Sequence, residues 1–203
     1  MRVIGLTGSI GMGKSTTAQM LRRLGVPVHD ADATVHRLTG PGGRAVPAIA
    51  ARFPGVVDAN GAVDRKRLGA RVFGDAAALK DLEGILHPLV RDEERRFRQR
   101  NRRLGKRVVV VDIPLLFETG GEKRCDAVWV ASAPAAIQAQ RVLRRPGMTR
   151  DRLAAIRVRQ TPDAAKRKRA DMVIPTGLGR RVARDAVIRG LARLKESSET
   201  PDA

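Results

Sequence analysis

The chain has 203 residues, enough to bury a sizeable core as one domain or as one domain with a lobe. Its composition, 42% hydrophobic and 30% charged without a long low-complexity tract, is that of a globular protein and not of a disordered or fibrous one. Against 21 Asp and Glu stand 40 Lys and Arg, and the formal charge of +19 suits polyanionic partners or a solvated basic face with no specific partner.

In chain order, "RVIGLT" (2–7) is a short apolar, β-branched run that predicts a buried strand. "GSIGMGKS" (8–15) follows it and matches G-x-x-x-x-G-K-[ST] at Gly8, Gly13, Lys14 and Ser15. "KSTTAQMLRRLG" (14–25) places Ala18, Leu21 and Leu24 at helical spacing and stops at a glycine. "VPVHDAD" (26–32) predicts a second strand ending in two carboxylates. Residues 40–105, after a "GPGG" break, are helical in pattern and read as an insertion between the second and third strands. "KRVVVVDIPLLF" (106–117) is the strongest strand, apolar on both faces as a central parallel strand requires. "DAVWVAS" (126–132) predicts the next, and "PAAIQAQRVLRR" (134–145) a helix with proline in its permitted first turn. Residues 144–168, rich in Arg and Lys and carrying "RPGMT", read either as a mobile lid or as a solvent-facing helical insertion. "ADMVIPT" (170–176) and "LGRRVARDAVIRGLARLKE" (178–196) predict a last strand and a closing amphipathic helix, with "SSETPDA" as a frayed tail. Strands alternating with helices predict an α/β fold: a parallel sheet flanked by helices, in a single domain of 1–203.

The glycine-rich stretch carries the chemistry. Glycines let backbone N–H groups point inward as an anion nest, and the helix opening at Lys14 aims its positive end at the same place. Lys14 can span the outer phosphates of a nucleoside triphosphate, and the Ser15 hydroxyl can ligate Mg²⁺. Carboxylates at the ends of neighbouring strands decide the reaction, because ligands of open α/β sheets bind there. Asp112, ending the "VVVV" strand, stands where an acidic residue holds Mg²⁺ through water. Asp32 suits two tasks, proton acceptor for an attacking hydroxyl or N-cap of the helix beginning "ATVHRL", and the residues alone leave both open. His29, His36 and His87 lack metal-ligand spacing, and no guanine-reading "NKxD" occurs.

Other classes are weaker fits. Aromatic residues are only 2% with no Tyr, so a base-stacking nucleic-acid platform is not expected, and the basic residues are spread along the chain and not gathered in one arm. The longest apolar runs are too short to span a membrane. A single cysteine, Cys125, excludes an internal disulfide and fits the reducing cytoplasm, with the side chain expected as a small apolar residue at a strand edge.

Taken together, "IGLTGSIGMGKST" (4–16), "LGVPVHDAD" (24–32), "LHPLV" (86–90), "DIPLLFE" (112–118), "QAQRVLRR" (138–145) and "Q…KRKRADMVI" (160–174) resemble the dephospho-coenzyme A kinase family over nearly the whole chain. The resemblance implies a nucleoside-monophosphate-kinase-like P-loop fold. It implies transfer of the γ-phosphate of ATP, with Mg²⁺, to the ribose 3′-hydroxyl of dephospho-CoA. It also implies roles for particular residues. Gly11, Met12, Gly13, Lys14, Ser15 and Thr16 would contact the ATP phosphates, Ser15 and Asp112 would hold the metal, and Asp32 would be the general base. His87, Pro88, Leu115 and Glu118 would line the acceptor pocket, with 40–105 as the CoA-binding lobe and 144–168 as the lid. Arg141 and Arg145 would reach the phosphates on lid closure. The chain departs from the family pattern at Pro146, commonly acidic or amide, and at Thr176, commonly an asparagine close to the base. Another small-molecule P-loop kinase is the nearest competing reading, and the "LHPLV" and "PLLFE" pair counts against it.

Overall fold

The computed structural model describes residues 1–196. Five strands form one sheet in the order β2-β3-β1-β4-β5, namely β1 (Arg2–Thr7), β2 (Val28–Asp30), β3 (Val108–Asp112), β4 (Ala127–Ser132) and β5 (Met172–Pro175). β1 pairs in parallel with β3, Arg2 opposite Val108 through Leu6 opposite Asp112, and with β4, Ile4 opposite Ala127 through Thr7 opposite Val130. β4 pairs in parallel with β5. β1 and β3 sit mid-sheet, so neither alternates between apolar and polar residues, and both are buried along nearly their whole length.

The period of two still sorts side chains between the faces. Ile4, Leu6, Val110 and Trp129 join Ala18 and Leu21 of α1 (Lys14–Arg23) and Ala183 and Val187 of α9 (Arg180–Glu196) in one core. Val128 and Val130, the alternate residues of β4, face Leu116 and Phe117 on the other side, with Cys125 packed against them. Burying Val, Leu or Phe side chains on both faces contributes about 2 kcal/mol apiece, which is why this stretch tolerates so little polarity.

Three predicted strands are shorter than their apolar runs. The second is Val28–Asp30 and not 26–32, because Asp30 caps a helix that begins at Ala31. The third stops at Asp112, two residues before Pro114, which lacks an N–H for a ladder. The last covers Met172–Pro175. The α6 helix (Ala135–Leu143) has Pro134 as its N-cap residue and not inside its first turn. α7 (Arg150–Arg159) and α8 (Asp163–Lys168) lead to β5. The expected frayed tail lies outside the described residues.

The described residues divide into two compact units, residues 1–29 with 105–196, and residues 30–104. The sheet, apart from Asp30 at the end of β2, and the helices named so far belong to the first. The second contains α2 (Ala31–Thr39), α3 (Val46–Arg52), α4 (Arg65–Val72) and the 28-residue α5 (Ala76–Arg103). It has its own core of Leu38, Ile49, Phe53, Val56, Val63 and Leu68, against which Leu82, Ile85, Leu86 and Leu89 of α5 pack. Asp30, Asp64 and Asp75 cap α2, α4 and α5, each accepting a first-turn amide hydrogen.

Candidate active site

Between β1 and α1 the backbone turns twice through conformations that only glycine adopts cheaply, at Gly11 (φ 75°) and Gly13 (φ 86°). Space forbids a side chain as well. A Cβ on Gly11 would lie 2.5 Å from Cγ2 of Val142, and one on Gly13 2.9 Å from Cβ of Thr176. Met12 N donates to Ser9 O at 3.1 Å and closes a turn between them. α1 then starts at Lys14 with no side-chain cap and no acidic residue in its first turn, so its leading amides and its dipole are left for an anion. Met12 contributes backbone only, since its side chain is buried and its Sδ accepts from Ala133 N. Ser15 is exposed and Thr16 half-buried beside it.

Lys14 leans away from the loop onto β3. Its Nζ lies 2.5 Å from Oδ1 of Asp112, whose carboxylate is buried at the C-terminal end of that strand. Ser15 and Asp112, the two expected metal ligands, are therefore placed by adjoining elements, and Asp112 also holds the Lys14 ammonium.

Behind the loop, Arg141 on α6 donates to Thr176 O at 2.7 Å, to Thr176 Oγ1 at 3.3 Å and to Gly11 O at 3.4 Å. The Thr176 hydroxyl donates its one proton towards Met12 O at 2.6 Å, with Ser132 O at 3.1 Å. Thr176 is buried and thus buttresses the glycine turn, which explains how the chain uses a residue that cannot supply an amide to a base. Arg145 is exposed, and its backbone opens a turn in which Met148 N donates to Arg145 O, with Pro146 second and Gly147 (φ 71°) third. That order is the type II signature, so Pro146 sets the chain's direction into α7.

Three residues singled out only as parts of longer motifs, or not at all, meet on this loop. Gln138 Nε2 donates to Ile10 O at 2.8 Å, Ile10 N donates to Gln160 Oε1 at 3.1 Å, and Arg157 donates twice to Gln138 Oε1. A buried glutamine in an amphipathic helix was the available sign in the sequence. Nearby, Glu118 Oε1 accepts from Thr161 N at 2.8 Å and pairs with Lys166 Nζ at 3.0 Å. Lys166 is wholly buried, so this is the anchor of α8. Burial alone would push the Glu118 carboxyl up, but the Lys166 ammonium and the Thr161 amide outweigh it and hold the group below the ordinary glutamate range.

Comparison with known proteins now bears on a glycine loop, a lysine–aspartate pair and a basic α6–α8 segment. A family model described as dephospho-CoA kinase matches residues 2–178. The chain is 69% identical to the dephospho-CoA kinase of Paramagnetospirillum magneticum, over 82% of this chain and 78% of that one. It is 65% identical to that of Rhodospirillum rubrum, over 89% and 86%. The chain belongs to the dephospho-CoA kinase family. Among solved structures, a Thermus thermophilus protein superposes with a TM-score of 0.82 at 34% identity, over 98% of both chains. The dephospho-CoA kinase of Campylobacter jejuni (TM-score 0.65, 24% identity, 95% and 97% covered) and a shikimate kinase of Bacteroides thetaiotaomicron (0.52, 19%, 96% and 98%) share the P-loop kinase fold.

The remaining residues that the family resemblance singles out divide between the two units. Leu115 is exposed in the turn after β3. Asp32 lies in the first turn of α2, exposed, while Asp30 does the capping that Asp32 was also suited to. His87 and Pro88 are exposed within α5. Pro88, inside α5, withholds the N–H that would otherwise meet the carbonyl of Gly84. Among the described residues no group of three or more His, Cys, Asp and Glu gathers as a metal site, and no helix is long and apolar enough to cross a membrane.

Proposed function

We propose that this chain transfers the γ-phosphoryl group of ATP to the ribose 3′-hydroxyl of dephospho-CoA, giving coenzyme A and ADP, the final step of coenzyme A synthesis. The observation that carries the reading is Lys14 held 2.5 Å from the buried Asp112, at the mouth of a glycine turn whose leading helix amides have no cap. The Lys14 ammonium pairs with the Asp112 carboxylate. A triphosphate on the loop supplies a larger negative charge, to which the flexible ammonium turns, stabilising the phosphoryl oxygens as charge spreads over them.

The donor set fits Mg²⁺. Ser15 offers an exposed hydroxyl and Asp112 a carboxylate, and a hard ion that binds few protein oxygens takes the rest from phosphates and water. When bound, Mg²⁺ neutralises phosphate charge. The amides of residues 11–16 seat the phosphates, and Arg141 fixes the carbonyl of Gly11 and so the aim of that turn. Arg145, exposed at the turn into α7, supplies a further positive charge to the same phosphates. Asp32 takes the proton of the attacking hydroxyl, for which an exposed carboxylate without a partner is suited. Residues 30–104, including His87 and Pro88, serve as the CoA-binding lobe, Leu115 contributes to binding the acceptor, and residues 144–168, which contain α7 and α8, act as the lid that excludes water. Glu118 serves this site by anchoring α8 through Lys166. The one cysteine, Cys125, agrees with a cytoplasmic enzyme.

The test is ADP release from ATP and Mg²⁺ with dephospho-CoA, adenosine or AMP as acceptor. Release that requires dephospho-CoA and yields a product of the mass of coenzyme A is expected. Release driven equally by adenosine or AMP would move the substrate assignment.

A further inference from the structure

We infer that Gln138 and Gln160 are positioning residues that clamp the backbone of Ile10 through the two peptide units flanking it, and thereby tie the position of α7 to the geometry of the phosphate loop. The inference rests on the reading that this loop holds nucleotide phosphates. Ile10 lies midway along the loop, and both of its backbone polar groups are held by side chains. Its C=O accepts from Gln138 Nε2 at 2.8 Å and its N–H donates to Gln160 Oε1 at 3.1 Å. Gln138 reaches it from α6 and is 4% exposed, and Gln160 is the C-cap residue of α7.

The clamp has a defined polarity. A guanidinium can only donate, and Arg157 donates through Nε (3.0 Å) and Nη2 (2.6 Å) to Gln138 Oε1. That fixes the amide orientation, with Nε2 towards Ile10, and two charge-assisted bonds on the oxygen make the NH₂ a better donor. Arg157 and Gln160 both lie at the C-terminal end of α7. That helix has little else to hold it: of its ten residues only Leu153 is buried, and Val158 is 87% exposed. Moving α7 therefore removes Arg157 from Gln138 and Gln160 from Ile10 at once, freeing the amide to flip and the peptide to rotate. A nucleotide that prefers the clamped loop must favour the docked α7 by the same factor, since coupling between two equilibria is reciprocal.

Gln138→Glu separates positioning from packing. The carboxylate keeps and strengthens the contact with Arg157 but turns an acceptor towards the Ile10 carbonyl. The stranded Ile10 carbonyl should lower the melting temperature modestly, the stronger Arg157 pair offsetting part of the cost, with ADP affinity weakened about tenfold and KM for ATP raised by more than kcat falls. Arg157→Leu should weaken ADP binding about threefold, and Arg157→Lys, which retains a donor, should recover most of it. Wild-type ADP affinity in Gln138→Glu would overturn the inference, as would a loss of affinity that simply tracks lost stability. Should Gln138→Glu not fold, hydrogen exchange at the Ile10 amide decides: about tenfold faster exchange in Gln160→Leu supports the clamp, and an unchanged rate removes it. ADP binding needs no acceptor, so a protein that binds ADP yet leaves dephospho-CoA untouched would sink the substrate assignment without touching the clamp.

Discussion

At Asp30 the chain leaves β2, and the carboxylate turns back to accept from Ala33 N at 2.9 Å. Asp32, two residues on, is thereby relieved of capping and stands exposed in the first turn of α2. The two substitutions should therefore differ in kind. Asp32→Asn should leave the melting temperature and ATP affinity near wild type while lowering kcat about 10²-fold or more. Asp30→Asn, still able to cap, should lower kcat little. Turnover assays on both variants check this, and a near-normal rate in Asp32→Asn would remove the base assignment. Thr176 offers a second test at this scale. Its hydroxyl donates to Met12 O at 2.6 Å in a buried site, so Thr176→Val strands that carbonyl at a cost of about 1–3 kcal/mol. The loss should appear as weaker ADP binding, measured calorimetrically, because the stranded group belongs to the loop that grips phosphate. The P-loop itself was legible because the spacing of Gly8, Gly13, Lys14 and Ser15 is local chemistry. The buttress at Thr176 was not, because 164 residues separate it from Met12.

Among the elements, the sheet could be read from the sequence because strands buried on both faces write themselves as runs such as "VVVV", whereas the ends of strands could not. Asp30 ended β2 by capping the next helix, a choice made by one side chain against an apolar run. The α7–α8 segment was hardest to read, because it is held by long-range polar contacts in place of an apolar stripe. Glu118 and Lys166 show the consequence. Lys166 is wholly buried on α8 while the Glu118 side chain keeps some access to water, so the two halves of the pair are not equivalent. Glu118→Gln leaves a buried ammonium unpaired and should destabilise the fold by about 3 kcal/mol at neutral pH. Lys166→Met leaves a carboxylate that water can reach and should cost less, with the double variant close to Lys166→Met alone. Because the folded protein holds the Glu118 carboxyl below the ordinary glutamate range, the stabilisation is complete at pH values above that range. It should disappear as the pH falls through the lowered folded value. Denaturant unfolding of wild type and Glu118→Gln should accordingly give a gap at neutral pH that closes on acidification, and a gap independent of pH would argue that packing alone is lost.

For the whole molecule the governing quantity is the formal charge of +19. So large an excess opposes the compact state through self-repulsion, and the structure offsets only part of it by ion pairs such as Arg44 with Asp92 and Glu93. ATP and dephospho-CoA are both polyanions, and a field of this sign raises their local concentration and speeds encounter without needing any single contact. Such a field is screened over a Debye length of about 10 Å at 0.1 M salt and about 3 Å at 1 M. The loop, Lys14 and Asp112 act at contact distance and are screened far less. Raising potassium chloride from low to about 0.5 M should therefore raise KM for both substrates several-fold while kcat changes little. Replacing exposed arginines of the second unit, such as Arg95 and Arg96 on α5, should flatten that dependence and leave kcat intact. Steady-state kinetics over a salt series, repeated with a second monovalent salt to separate ionic strength from chloride binding, measures both slopes. A KM indifferent to salt would mean that the surface charge plays no part in substrate capture, and that the phosphate loop and the acceptor site bind by short-range contacts alone.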